Sequence, residues 1–252
     1  MRFALMSDLH ANMPAVSACL ADIESKQIDQ IAILGDLIGY GPNPSEVVAL
    51  CRRLHEGGAI VLRGNHDEPH LPDLEMPAGR RAIEVVAAWT YHQLSQEDRH
   101  WLRSLPLVAT HYRYAFVHAT LDDPQAWFYA TDHHRIDRCI DSAATQYQAS
   151  VVLCGHVHEQ ILFYQGTGRE YMRFTPSPGV TIKLKEHRSW LACVGSVGQP
   201  RDGDPRACYA ILDTDSHTIQ FNRVFYDIKQ VVRDLGLNHL PEELALRLER
   251  GR

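Results

Sequence analysis

The chain has 252 residues, 45% of them hydrophobic, and a formal net charge of -6 at pH 7. This length is enough to bury a large core, and the charge excludes a broad basic surface for nucleic acid but not a local positive site for a small anion. The cysteines form no CxxC pair, which argues against structural zinc and is typical of free thiols in a reducing compartment. The apolar residues before Asp8 are too few for a signal peptide or a membrane span, so we expect a cytoplasmic protein with no membrane partner.

Strands and helices alternate over the first part of the chain. The apolar patterns predict strands at 2–6, 30–36 and 59–65, separated by helices at 14–27 and 43–58. This βαβαβ order predicts a parallel sheet. Two more helices are expected at about 79–94 and 96–104, followed by a hairpin at 107–120 that bends near Tyr112 and Arg113.

Short strands dominate the second half. A helix near 134–147 is followed by six apolar runs bounded by turn residues. These predicted strands cover 151–156, 161–165, 181–185, 190–195, 208–213 and 219–227. We expect a single α/β domain over 1–252, in which two packed sheets are covered by helices and a helical tail begins at about 241.

Polar residues end four of the predicted strands. They are Asp8 and His10 in "DLH", Asp36 in "GD", Asn65, His66 and Asp67 in "GNHD", and His156 and His158 in "GHVH". Side chains two apart in an extended chain point the same way, and ligands of open α/β sheets bind at the carboxyl ends of strands. We therefore expect these residues to converge on one site.

The residue types in this set favour a pair of transition metal ions. Carboxylate, amide and imidazole ligands together suit Mn, Fe, Co, Ni or Zn better than an all-oxygen calcium site. Two such ions about 3.5 to 4 Å apart can share a water, lower its pKa and hold both oxygens of an in-line displacement at phosphorus. The pattern therefore indicates phosphate-ester hydrolysis.

The ordered series, together with His118 in "FVHAT", resembles the five-part signature of the calcineurin-like metallophosphoesterases. The stretches "SDLHAN", "GDLIGYGPNP" and "VGSVGQPRDGDPRACYAILD" further resemble the compact bacterial and archaeal phosphodiesterase branch of that family. The resemblance implies two facing mixed β-sheets flanked by helices, a four-layer αββα sandwich.

The resemblance also implies a role for each residue. Two divalent metal ions are expected, Mn by preference and Fe, Zn, Ni or Co as alternatives. One ion would be held by Asp8, His10 and His158, the other by Asn65, His118 and His156, and Asp36 would bridge them. A hydroxide shared by the ions would attack the phosphodiester, and His66 would act as general acid on the leaving oxygen. Asp67 would orient His66 or support the surrounding structure.

Two further residues are candidate substrate contacts. Asn12, two residues after His10, either reaches a phosphate oxygen or caps the helix that starts near Pro14. Arg201 lies in a glycine-containing loop that can receive an anion, or is a solvated arginine of a long hairpin turn. The proline-rich stretch after "GNHD", up to about residue 79, is a candidate wall of the substrate pocket.

Other functions stay open at this point. Protein phosphatases of the superfamily carry an aspartate and an arginine where this chain has Gly39 and Tyr40, so a small phosphodiester or nucleotide-like substrate is favoured over a phosphomonoester or phosphoprotein. The chain has no basic stripe with interleaved aromatics, which argues against a nucleic-acid groove. Some proteins that resemble this branch are non-catalytic scaffolds, but the complete ligand set favours an enzyme. Assembly into a homo-oligomer is compatible with the sequence.

Overall fold

The computed structural model describes residues 1–68, 82–166 and 170–252, and within these ranges the chain forms two six-stranded sheets and seven helices. The strands are β1 (Arg2–Met6), β2 (Gln30–Ile33), β3 (Ile60–Val61), β4 (Val108–His111), β5 (Tyr114–Val117), β6 (Val151–Cys154), β7 (Gln160–Gln165), β8 (Tyr171–Phe174), β9 (Thr181–Lys183), β10 (Trp190–Val194), β11 (Ala207–Asp213) and β12 (Thr218–Val224). The helices are α1 (Met13–Glu24), α2 (Pro44–Glu56), α3 (Ala82–Gln93), α4 (Gln96–Ser104), α5 (His133–Tyr147), α6 (Ile228–Leu237) and α7 (Glu242–Arg250).

Both sheets combine parallel and antiparallel neighbours. The first has the order β3-β2-β1-β11-β12-β9, and the second has the order β4-β5-β6-β10-β7-β8. In the first sheet β1, β2 and β3 run parallel, and in the second β5, β6 and β10 run parallel. The parallel strands of each sheet therefore deliver their carboxyl ends to one edge, where the chain must turn into loops.

The central strands are apolar on both faces because each sheet is covered twice. In β1, Phe3 and Leu5 belong to the core between the two sheets, whereas Ala4 and Met6 pack with residues of α1 and α2. Helix α5 covers the outer face of the second sheet. Alternate residues of a strand point to opposite faces, so a strand buried on both sides needs a continuous apolar run. The expected αββα sandwich is confirmed, as is the hairpin near Tyr112.

Two elements were not predicted from the sequence. Strand β8 lies at the edge of its sheet and buries only Tyr171 of its four residues, so it has no two-residue alternation to detect. Helix α6 contains two valines and Gly236, which are weak helix formers. It forms because Asp227 accepts a hydrogen bond from the backbone amide of Gln230 at its first turn and because its apolar face packs with α7.

Helices α6 and α7 pack near the edge where the parallel strands end. Val231 and Leu235 of α6 and Leu244 of α7 share a buried cluster with Tyr40 and with Val86 of α3. The start of the predicted helix at 79–81 lies outside the described residues. Across the described ranges, no helix combines the length and the apolar character needed to span a membrane.

The two sheets meet at the end of β1 and the end of β6. A Cβ placed on Gly155, which follows β6, would lie 1.8 Å from the Ser7 hydroxyl and 2.4 Å from a carboxylate oxygen of Asp8. Glycine is therefore required at this position because the backbone of one sheet rests on side chains at the end of the other.

Replacement of Gly155 by alanine should test this contact. We expect Gly155→Ala to lower the free energy of unfolding by about 1–3 kcal/mol, as overpacking of a close contact does. The matched control is Gly236→Ala in α6, where an added Cβ meets nothing within 4 Å, and which should be neutral or stabilising by up to about 1 kcal/mol. Urea denaturation measures both; equal effects of the two substitutions would show that Gly155 is not tightly packed.

Candidate metal centre

The candidate metal ligands converge at the carboxyl edge of the two sheets. Possible ligand atoms of Asp8, His10, Asp36 and His158 all lie within 4.8 Å of one another, and so do those of Asp36, His118 and His156. Asp36 belongs to both groups. The amide oxygen of Asn65 lies 3.1 Å from Nε2 of His118 and thus extends the second group. The chain offers two neighbouring donor sets that share one carboxylate.

Each histidine of the cluster is oriented by a backbone carbonyl. The pairs are Nδ1 of His10 with Ile38 (3.0 Å), Nδ1 of His118 with Leu34 (2.9 Å), Nδ1 of His158 with Gln199 (2.6 Å) and Nε2 of His156 with Trp127 (2.9 Å). A carbonyl oxygen can only accept, so in the neutral ring the bonded nitrogen carries the proton and the other nitrogen presents a lone pair. In metal sites, histidine ligands are oriented in this way, by a hydrogen bond from the ring nitrogen that does not bind the metal.

Several polar atoms that face into the site lie close together without satisfying one another. Nε2 of His10 and Nε2 of His158 are 3.1 Å apart, although in their neutral tautomers both present a lone pair. The Oδ2 atom of Asp36 is buried without a hydrogen bond in the described part of the chain, 3.4 Å from Nε2 of His118 and 3.7 Å from Nε2 of His10. A cation between these atoms would satisfy all of them, so the residues present fit a pair of divalent metal ions.

The buried carboxylates of the site require positive charge beside them. Burial tends to raise the pKa values of Asp8 and Asp36, but adjacent imidazoles outweigh it and hold both well below their usual range. Burial tends to lower the pKa of His118, but the carboxylate of Asp36 outweighs it and raises the pKa to about 9. Burial lowers the pKa of His156 to about 4. The carboxylates stay ionised, and bound protons or metal ions must balance them.

The backbone at the ligands is strained. The φ angles of Asp8, His10, Asp36, His156 and His158 are all positive, between 45° and 64°. This left-handed region is unfavourable for residues other than glycine and is found mainly at turns and functional sites. Five such residues in one cluster indicate that these loops adopt unfavourable backbone conformations that direct the side chains into the site.

His66 lies beside the donor sets rather than within them. Its backbone amide donates to Oδ1 of Asp36 (2.8 Å), and its ring is 5.2 Å from the ring of His10 and 4.7 Å from that of Tyr40. A Cβ on Gly39 would lie 2.9 Å from Nδ1 of His66, so the glycine leaves room for the imidazole. Burial lowers the pKa of His66.

Asp67 joins two of the ligand loops. Its carboxylate accepts hydrogen bonds from the backbone amides of Leu37 (2.8 Å), Ile38 (3.3 Å) and Gly64 (2.8 Å). Burial and the nearby charge of Asp36 raise its pKa to about 7. All three bonds go to the backbone, so Asp67 supports the loops that follow β2 and β3, the second of the two roles expected for it.

The two candidate substrate residues occupy different environments. The side chain of Asn12 accepts from the amide of Ala15 (3.2 Å) and donates to the carbonyl of Gly198 (2.9 Å), so it caps α1 and ties the helix to a neighbouring loop. The guanidinium of Arg201 lies 5.6 Å from the centre of the Tyr40 ring. Its Nε is buried and makes no hydrogen bond within the described ranges.

Several residues that shape the centre gave no recognised signal in the sequence. The orienting carbonyls belong to the backbone, and any residue type supplies one. The aromatic run at 127–129 was also overlooked, although three consecutive aromatics in a loop are a usable signal; its Tyr129 ring stacks on His156 at 4.1 Å. The proline-rich candidate wall beyond Glu68 falls mainly on 69–81, which lie outside the described residues.

Comparison with known proteins identifies the family. Residues 1–217 match the model of the calcineurin-like phosphoesterase superfamily domain, and the chain belongs to this family. It is 32% identical over 261 residues to an uncharacterised protein of Methanocaldococcus jannaschii, covering 99% of this chain and 98% of that protein. It is 30% identical over 129 residues to a symmetrical bis(5'-nucleosyl)-tetraphosphatase of Vibrio vulnificus, a match that covers 50% of this chain and 46% of the relative.

Solved structures agree with this assignment. The chain superposes on a metallophosphoesterase from Sphaerobacter thermophilus with a TM-score of 0.85 and 31% identity, covering 100% of this chain and 99% of that one. A hypothetical protein from Pyrococcus horikoshii shares the fold, with a TM-score of 0.77 at 22% identity and coverage of 100% and 98%. The family resemblance found in the sequence is therefore confirmed.

Substitution of the shared carboxylate should affect both donor sets at once. We expect Asp36→Asn to weaken the binding of two Mn ions, because a neutral amide replaces the anion common to both sets, whereas Asn65→Ala should mainly weaken one. Equilibrium dialysis with elemental analysis measures the stoichiometry and affinity. An unchanged stoichiometry and affinity in Asp36→Asn would contradict the bridging position.

Proposed function

We propose that the protein is a metal-dependent phosphodiesterase with a dinuclear centre. Asp8, His10 and His158 would hold one ion, Asn65, His118 and His156 the other, and Asp36 both. The observation that carries the proposal is the division of the buried donors into two sets around Asp36, whose Oδ2 has no hydrogen bond to the described residues. When bound, the two ions supply a water of lowered pKa and positive charge for the phosphoryl oxygens.

His66 would act on the leaving oxygen as general acid. It contacts the ring of His10 and hydrogen-bonds through its backbone to Asp36, so it lies at the margin of the centre with no donor atom in either set. A half-buried imidazole can deliver a proton to an alkoxide as the phosphorus–oxygen bond breaks. Its backbone bond to Asp36 holds the main chain at His66 beside the donor sets.

Arg201 would hold the substrate phosphate. Its backbone amide donates to the carbonyl of His158, and its Nη2 donates to Gln199, so the guanidinium is anchored next to the centre. Its Nε has no hydrogen-bond partner among the described residues, and a phosphate oxygen could accept from this donor. The Tyr40 ring fills the space between Arg201, His10 and His66.

The surroundings of Tyr40 favour a diester over a monoester. The neutral Tyr40 stands in the sequence region where the protein phosphatases carry their additional arginine, so Arg201, whose guanidinium lies 5.6 Å from the centre of the Tyr40 ring, is not joined there by a second arginine. A diester carries one negative charge and a monoester up to two, so a site with one arginine in place of two is better matched to a diester. The tetraphosphatase relatives act on dinucleoside phosphates, which supports a small nucleotide-like substrate.

A direct comparison of model substrates tests the proposed reaction. Metal-stripped protein reloaded with Mn should hydrolyse bis(p-nitrophenyl) phosphate faster than p-nitrophenyl phosphate under the same conditions. The Asp36→Asn protein, treated identically, controls for contaminating activity. A higher rate on the monoester would point to a phosphomonoesterase, and no hydrolysis of either compound by the loaded protein would favour a binding role for the fold.

Removal of the proposed general acid should have an effect that depends on the leaving group. We expect His66→Ala to reduce the rate on a diester with an alkyl alcohol leaving group by about 10²- to 10⁴-fold, and to reduce the rate on p-nitrophenyl esters much less, because p-nitrophenolate leaves without a proton. Metal content should stay unchanged, since the alanine keeps the backbone bond to Asp36. Equal losses on both leaving groups would exclude the general-acid role.

A further inference from the structure

A short aromatic loop borders the centre on the side of the second donor set. Trp127, Phe128 and Tyr129 lie between β5 and α5. The Trp127 ring meets His118 edge to face at 5.8 Å, and the Tyr129 ring stacks on His156 with 4.1 Å between centroids and 23° between planes. Two of the three aromatic rings therefore touch candidate metal ligands.

This aromatic loop is held in place by bonds to the rest of the fold. Trp127 has a positive φ of 52°, and its carbonyl accepts the Nε2 proton of His156. Phe128 lies under the guanidinium of Arg135, 3.4 Å from the ring centre, and Arg135 in turn pairs with Asp122 at 3.0 Å. Both residues that precede Tyr129 are thus anchored, and Ala130, which follows it, is buried in the core that α5 covers.

Tyr129 is 50% exposed as a residue, although its ring stacks on the buried His156. Because His156 covers one face of the ring, this exposure favours an open opposite face beside the donor sets. We propose that this open face stacks on the base of a nucleotide substrate, so that the enzyme acts on phosphodiesters of nucleosides. The inference rests on the proposed phosphodiesterase function and adds the substrate class and the residue that selects it.

The chemistry of the loop explains why a nucleobase fits. Every base has a planar π face that stacks on tyrosine, with little dependence on base identity. A base is joined through its ribose to the phosphate, so the Tyr129 ring can hold the base while the phosphate reaches the donor sets. An aliphatic ester has no group that stacks on this ring, and it should be bound only through its phosphate.

A matched pair of substrates isolates the contribution of the base. We would compare the methyl phosphodiester of 5'-AMP with the methyl phosphodiester of methyl ribofuranoside 5-phosphate, which differs in the loss of the base. Wild-type protein loaded with Mn should prefer the adenosine ester by about 10- to 100-fold in kcat/KM, the range expected from one base–aromatic stack. In Tyr129→Leu this preference should fall to within about twofold of unity, with the rate on the abasic ester retained.

Three controls separate recognition from support of the metal ligand. Tyr129→Phe keeps the π face and should keep the preference. Tyr112→Leu removes a tyrosine that is 86% exposed in the turn between β4 and β5, and it should change neither rate. Metal content of Tyr129→Leu should equal that of the wild type, because leucine still covers the His156 ring. Loss of metal, or an equal fall in both rates, would show that Tyr129 only shields His156 and would overturn the proposal.

A binding measurement keeps this test independent of turnover. The dissociation constants of 5'-AMP and ribose 5-phosphate, measured by calorimetry in the wild type and in Tyr129→Leu, should show a preference for 5'-AMP that the substitution removes. If neither diester is hydrolysed but 5'-AMP binds more tightly than ribose 5-phosphate, the proposed reaction is wrong and base stacking on Tyr129 is supported. If the diesters are hydrolysed without preference for the base, and 5'-AMP binds no more tightly than ribose 5-phosphate, base stacking is excluded and the proposed reaction is supported.

Discussion

The burial of two carboxylates among imidazoles is the constraint on which the rest of this structure depends. Asp8 and Asp36 are at most 1% exposed, and an isolated buried carboxylate would cost several kcal/mol of folding free energy. Each must therefore be matched by positive charge, either protons on neighbouring histidines or metal ions. Because the carbonyl bonds select one tautomer for each neutral imidazole, the lone pairs point inward, and metal ions would satisfy the carboxylates and the lone pairs together.

This arrangement requires unfavourable backbone conformations in several loops. Hydrogen bonds and close packing around the site stabilise these loops. Five candidate ligands have positive φ angles, which are unfavourable for residues with side chains. Asp67 ties the loops after β2 and β3 together through three backbone amides, and the amide of His156 bonds to the carboxylate of Asp8 across the two sheets. The close packing of Gly155 on Ser7 holds the same junction. The sheets thus act as a rigid frame whose edge sets the distances between donors.

The sequence predicted the sheets and the clustering of donors because both depend on short local patterns. Apolar runs marked the central strands, and polar residues directly after them marked the edge where parallel strands end. Edge strand β8 and helix α6 escaped because only one residue of β8 is buried and because α6 is stabilised by its contact with α7 rather than by its own propensities. The choice between the two roles of Asn12 depended on distant Gly198 and on the local cap, and only coordinates bring these together.

The candidate metal donors and the proposed substrate contacts lie on two kinds of element. Most of the donors sit directly after strands, where the frame fixes them, whereas Tyr129 and Arg201 come from longer loops, after β5 and after β10. Neither Tyr129 nor Arg201 supplies an atom to the two donor sets, so the proposed choice of substrate rests on other elements than the proposed hydrolysis. The stacked pair of Tyr129 and His156 is the point where the two meet, because the Tyr129 ring contacts a candidate ligand while the residue stays half exposed.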